Sequence, residues 1–129
     1  MERQSENAAK LARYLKTEKK VKKVVYIGLP ETPGYEVHKS QTTGFGSMIS
    51  IYLDSNKTVE NLLRKIRVFQ YAESLGGVES LITYPLTQTH SEIPPEEREK
   101  KGITDTLVRI SVGIEGFEDL KNDIKQALK

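Results

Sequence analysis

Leu107-Val108-Arg109-Ile110-Ser111-Val112 is the stretch on which the fold turns. In an extended chain successive side chains point to opposite sides, so Val108, Ile110 and Val112 share one face and Leu107, Arg109 and Ser111 the other. A β-branched set on one side marks a strand packed against a core. The same alternation puts a cation in the middle of the opposite face. Arg109 then has two readings. One is an arginine on a solvated sheet face. The other is a clamp for a carboxylate or phosphate, because a planar guanidinium can give two parallel hydrogen bonds to such a group.

Moving outward, Phe117, Leu120, Ile124 and Leu128 have helical spacing after Gly116. Glu118 and Asp119 near the start of that helix and Lys125 and Lys129 near its end suit the helix dipole. Upstream, Pro94-Pro95 opens a short helix through Glu96, Glu97 and Arg98 that Gly102 ends. Val78 to Tyr84 reads as a strand. Before it, Ser55 or Asn56 caps a helix whose apolar stripe is Val59, Leu62, Leu63, Ile66 and Phe69. Met48 to Leu53 alternates, with Ile49, Ile51 and Leu53 on one face. Gly34 to Ser40 forms a short helix after Pro33. Val24 to Ile27 reads as a short buried strand stopped by Gly28 and Pro30. Glu2 to Leu15 is a helix burying Ala8, Leu11, Ala12 and Leu15. Together these predict one α/β domain over residues 1–129. It has two layers: a small, mainly antiparallel sheet with helices on one face.

Composition narrows the function classes. A length of 129 residues suits one domain with one modest core. A formal net charge of only +2 gives no electrostatic case for nucleic acid. The absence of cysteine rules out disulfides, thiol nucleophiles and thiolate metal ligands, and it fits a reducing cytoplasm. No apolar run is long enough to span a membrane, and the opening Met-Glu-Arg-Gln-Ser-Glu is too polar for a signal peptide.

The remaining motifs are weak. His38 and His90 are the only histidines and neither has metal-ligand spacing; Glu92 beside His90 is a single partner, so no metal is expected. No Gly-x-Ser-x-Gly elbow occurs. Gly44-Phe45-Gly46 lacks the third glycine of a dinucleotide fingerprint and precedes a strand. The run Lys19-Lys20-Val21-Lys22-Lys23 has no aromatic set beside it and reads as a solvated basic helix end rather than a phosphate contact. Glu73-Ser74-Leu75-Gly76-Gly77 is either a turn between two strands or a glycine loop that lets the main chain approach a ligand.

Three strings carry a family resemblance: Ala72-Glu73-Ser74-Leu75-Gly76-Gly77-Val78-Glu79-Ser80-Leu81-Ile82; Thr89-His90 with Ile93-Pro94-Pro95-Glu96-Glu97-Arg98 and Gly102-Ile103-Thr104-Asp105; and Leu107 to Glu115 followed by Glu118-Asp119-Leu120. In order and spacing the chain resembles the C-terminal domain of the Cys/Met-metabolism pyridoxal-phosphate enzymes. These are the cystathionine γ-synthases, cystathionine lyases and their sulfhydrylase relatives. Tyr26-Ile27-Gly28-Leu29-Pro30 and Gly44-Phe45-Gly46-Ser47-Met48 are similar to two further family segments, with Ile27 in place of the usual proline and Ser47 in place of a second glycine.

The resemblance implies the C-terminal domain of an aspartate-aminotransferase-like fold. It implies that Arg109 binds the α-carboxylate of the amino-acid substrate. Ser74 would sit beside the cofactor lysine, Glu73 at the cleft favouring cystathionine-type substrates, and Leu75 would lend its backbone to the same pocket. An apolar residue is usual at the Glu73 position in methionine γ-lyases, which counts against that branch. The substrate would be cystathionine, or an O-acyl homoserine or cysteine. The full-length protein would be a cytoplasmic homotetramer of trans-sulfuration and methionine or cysteine metabolism, without nucleic-acid or membrane partners.

The resemblance also implies what is missing. The family's lysine sits in a Ser-x-Thr-Lys string of an N-terminal domain, and no such string occurs here; Asp54-Ser55-Asn56 does not match the segment that pairs with the pyridine nitrogen. Pyridoxal phosphate is therefore expected in the full-length enzyme and not on this chain, which has no catalytic or cofactor-binding residue of its own and is not competent alone. The rival reading is a free-standing, non-catalytic α/β module that binds amino acids or a protein.

Overall fold

The computed structural model describes residues 1–88, 94–100 and 104–129. Among them, five strands, β1 (Val21–Val25), β2 (Met48–Leu53), β3 (Gln70–Tyr71), β4 (Leu81–Thr83) and β5 (Leu107–Ser111), form one sheet in the order β1-β2-β5-β4-β3. The β1–β2, β2–β5 and β5–β4 pairs are antiparallel, and β3–β4 is parallel. The helices are α1 (Glu2–Leu15), α2 (Tyr35–Gln41), α3 (Asn56–Lys65), α4 (Pro85–Gln88), α5 (Pro95–Lys100) and α6 (Phe117–Ala127). The architecture is the expected α/β one, mainly antiparallel.

The register explains where the core sits. Ile49 lies opposite Ile110, Ile51 opposite Val108, and Ile82 opposite Ile110, so one face of the three inner strands is aliphatic throughout. Ala8, Leu11 and Leu15 of α1, Val59 and Leu62 of α3, and Leu120 and Ile124 of α6 pack on it, all fully buried. Each such Leu, Ile or Val contributes about 1.5–3 kcal/mol relative to exposure. Ser55 caps α3 by accepting the Thr58 N–H, a cap worth about 1 kcal/mol. No helix among the described residues is long and apolar enough to cross a membrane.

Four boundaries differ from expectation, each for a physical reason. The edge strand is Val21–Val25 rather than Val24–Ile27, so Lys22 and Lys23 lie in a strand and not at a helix end. A register shift between Val21 and Lys23 and the exposed lysines suit an edge, where both discourage further strand pairing. The stripe on α3 stops at Leu63, because the helix ends at Lys65. There the Asp123 carboxylate of α6 accepts the N–H groups of Arg67, Val68 and Phe69 and draws the chain out of the helix. Phe69 is still buried, but beyond the helix. The strand expected from Val78 is only Leu81–Thr83, since the Val78 carbonyl accepts from Ile114 N–H and turns away from the ladder. The segment 72–80 is not a hairpin turn: β3 and β4 run parallel, and it crosses between them. Gly102, and His90 with Glu92, lie outside the described residues.

Burial holds the Tyr26 phenol above its ordinary value of 10.0, against hydrogen bonding from Ser5 and the Arg13 charge. The Tyr84 phenol is raised for the same first reason, with Asp105 adding to it. A raised value means that the folded state binds the phenolic proton more tightly than the unfolded chain does. That stability is fully present below pH 10.0 and is lost as pH climbs through the folded values. Urea unfolding just below and well above pH 10.0 should show a lower midpoint on the alkaline side. The late part of the tyrosinate absorbance change should coincide with that loss.

Candidate carboxylate site on the second sheet face

The second face is built from the residues that alternate with the core. Arg109 lies there between Ser50 of β2 and Thr83 of β4, two small polar neighbours that leave room for a guanidinium. It is partly exposed. The face is not uniformly open. Thr83 and Ser111 are buried, although they belong to the side away from the helices. The 72–80 crossover covers them: Thr83 Oγ1 donates to the Ala72 carbonyl at 2.6 Å, and Gly76 N–H donates to Ser111 Oγ at 2.8 Å. Gly76 has φ of +76°, which lets the loop turn back over the sheet at low cost.

The crossover brings the expected residues to one place. Arg109 Nη2 donates to the Glu73 carbonyl at 3.4 Å, a long and weak bond. Glu73, Ser74 and Leu75 follow one another on the exposed crest of the loop, with Leu75 53% exposed. Among the described residues the single ion pair is Lys16–Glu31, so the guanidinium has no carboxylate partner there and most of its five donors are uncommitted. Two clefts, of about 670 and 740 Å³, lie elsewhere, along β1 and against the first turns of α1. Arg109 lines neither.

This set of groups suits a carboxylate. It does not make a bed for pyridoxal phosphate. β2, β4 and β5 contain no lysine, and the loop crest offers no cation for a phosphate. Among the described residues no three His, Asp or Glu side chains gather as a metal site would require.

The sequence reading missed the groups that hold the loop from behind. Gln4 of α1 binds its C-terminal half at the Gly77 carbonyl, Glu115 grips Ser80, and Asn7 of α1 holds the Gly113 and Glu115 carbonyls of the turn behind it; Gln4, Asn7 and Ser80 are buried. Gln4 and Asn7 share the helical phase of Ala8, Leu11 and Leu15. Polar residues in a buried stripe require partners, and that is the signal that could have exposed them.

The whole chain, residues 1–129, matches the family model for Cys/Met metabolism PLP-dependent enzymes, and the protein belongs to that family. It is 46% identical over 129 residues to the cystathionine beta-lyase MetC of Bacillus subtilis (strain 168), covering 100% of this chain and 33% of that protein. It is 50% identical to a cystathionine beta-lyase of Lactococcus lactis subsp. cremoris (strain MG1363), covering 100% and 34%. The fold superposes with a TM-score of 0.94, at 40% identity, on the cystathionine gamma synthase of Xanthomonas oryzae pv. oryzae in complex with aminoacrylate and cysteine, covering 99% of this chain and 33% of that one. The chain thus spans about a third of the length of these relatives.

Gly113 follows β5 against the back of the loop. A methyl group there would lie 2.2 Å from the Val78 carbonyl oxygen and 2.7 Å from the Glu79 carbonyl carbon. Both are main-chain atoms that cannot rotate aside. Gly113→Ala should therefore cost about 1–3 kcal/mol of stability by overpacking, read as a lower denaturation midpoint. A midpoint unchanged from wild type would show that the loop is not seated on this strand.

Proposed function

We propose that this chain is the C-terminal, substrate-gripping domain of a trans-sulfuration enzyme that acts on sulfur amino acids. Its part is to hold the α-carboxylate of cystathionine, or of a related cysteine or O-acyl homoserine substrate. Arg109 supplies the charge and the planar fork. Glu73 and Ser74 line the entrance, and Leu75 contributes main chain. The cofactor lysine and the groups that hold pyridoxal phosphate would belong to the rest of the protein, in a domain preceding this one. Bound there, the cofactor would withdraw electrons from the substrate's α-carbon. Full-length protein of this kind would be a cytoplasmic homotetramer.

One observation carries the reading: a partly exposed arginine, unpaired with any carboxylate of the described residues, beside the Glu73–Leu75 crest. A partly exposed guanidinium with uncommitted donors and no carboxylate beside it is open to an anionic ligand. The site is also a face and not a pocket, which suits a cleft whose second wall comes from elsewhere. The relatives named above are cystathionine lyases and a cystathionine synthase, and one related structure holds cystathionine itself.

In the full-length protein, Arg109→Ala should lose a charge-assisted pair worth about 2–3 kcal/mol, a fall in kcat/KM of about 30- to 150-fold on cystathionine. Arg109→Lys should also be impaired, because an ammonium cannot form the two parallel bonds. An Arg109→Ala enzyme with unaltered kcat/KM would refute the assignment.

A further inference from the structure

The carboxylate-clamp reading leaves unused a set of buried polar groups directly behind the 72–80 loop. Ser80 is fully buried. Its N–H donates to Glu115 Oε2 at 2.9 Å, and its hydroxyl donates to Glu115 Oε1 at 2.8 Å. The same hydroxyl accepts the Gly113 N–H at 2.8 Å. Asn7 Nδ2 donates to the carbonyls of Gly113 at 3.0 Å and Glu115 at 2.8 Å, and Gln4 Nε2 donates to that of Gly77 at 2.9 Å.

We infer that Glu115 is a positioning residue for the substrate site: by gripping Ser80 it sets the loop crest, Glu73 to Leu75, against Arg109. The inference rests on the clamp reading and goes beyond it.

The connectivity makes the case. Arg109 and Glu115 are on one continuous piece of chain, β5 and the turn that follows it. The loop begins at Ala72, fixed by its N–H to Ile82 O and by Thr83 Oγ1, and ends at Ser80. Glu115 therefore closes a ring: from Arg109 along β5 to Glu115, across to Ser80, back through the loop to Glu73, and onto Arg109 again. Of Gln4, Asn7, Ser80 and Glu115, Glu115 is the one that carries a charge. It takes two donors from a single residue, and hydrogen bonds to an ionised acceptor are about twice as strong as neutral ones. Without it, the Ser80 N–H and hydroxyl lose their acceptor in a buried place, and the cheapest relief is for that end of the loop to move toward water. The crest then shifts relative to the guanidinium, while the chemistry supplied by the rest of the protein is untouched.

The test is steady-state kinetics of the full-length protein on L-cystathionine, with Glu115→Ala, Glu115→Gln, Arg109→Ala and the Glu115→Ala/Arg109→Ala pair. A displacement of the loop should raise KM by about tenfold in Glu115→Ala, since misplacements near 1 Å are costly, with kcat within about a factor of two. Glu115→Gln keeps an acceptor for the Ser80 N–H and should recover part of the loss. In the Arg109→Ala background the further effect of Glu115→Ala should largely vanish, the signature of two residues acting through one site. A purely structural role predicts instead a lower melting temperature with KM unmoved, or effects that add, and either result overturns the inference. Should Glu115→Ala fail to fold, an unchanged KM in Glu115→Gln overturns it equally, and a KM between wild type and tenfold supports it. If Arg109→Ala alone is impaired and the Glu115 variants keep their KM, only the positioning role falls. If Arg109→Ala is itself unimpaired, the clamp reading falls first.

Discussion

A central β-strand has two sides, and β5 uses both fully. Its Val108 and Ile110 side is locked into the aliphatic core between β2 and β4. That lock leaves the Arg109 side no freedom of register, because slipping by a single residue would drive a guanidinium into the core and aliphatic groups into water. The direction of Arg109 is therefore set by hydrophobic burial, which is strong, and not by the single 3.4 Å bond to the Glu73 carbonyl, which is weak. An arginine placed in this way is rigid at its root and largely uncommitted at its tip. Preorganised recognition of a carboxylate requires both.

The 72–80 crossover shapes the second face of the sheet. It covers Thr83 and Ser111 beside Arg109, and so it limits how much of the second face stays open. Its seat is unforgiving. Gly113 admits no side chain against the Val78 carbonyl, and Ser80 sits with no exposed surface between Gly113 and the Glu115 carboxylate. Leu75, Val78 and Ile114 project outward from the same region as exposed apolar groups.

Much of this was legible in residue order. The alternation in β2 and β5 and the stripes on α1 and α6 survive intact, because long apolar repeats are dominated by one energetic term. The cap of α3 was narrowed to Ser55 or Asn56, and the structure gives it to Ser55. What could not be read were effects in which a distant side chain overrides a local pattern. Asp123 ends α3 from more than fifty positions away in the chain and leaves Phe69 buried outside it. Lys22 and Lys23 join a strand because an edge tolerates them. Gln70–Tyr71 became a two-residue parallel strand with no periodicity to announce it. For the site, the alternation identified the face that carries Arg109, and the glycine pair marked the Glu73–Gly77 stretch as a turn or a ligand loop, while the roles of Glu73, Ser74 and Leu75 came from family resemblance. Of the supporting groups, Gln4 and Asn7 left a trace as polar residues in the buried stripe of α1, while Ser80 and Glu115 left none, because they meet each other from 35 positions apart.

The most direct measurement is a crystal structure of the intact protein with its amino-acid substrate or an unreactive analogue bound. Both oxygens of the ligand's α-carboxylate should lie at hydrogen-bond distance from the Arg109 guanidinium, about 2.7–2.9 Å, with the Glu73–Leu75 crest alongside. A ligand carboxylate held by another cation, with Arg109 paired to an acidic side chain of the remaining protein, would contradict the account.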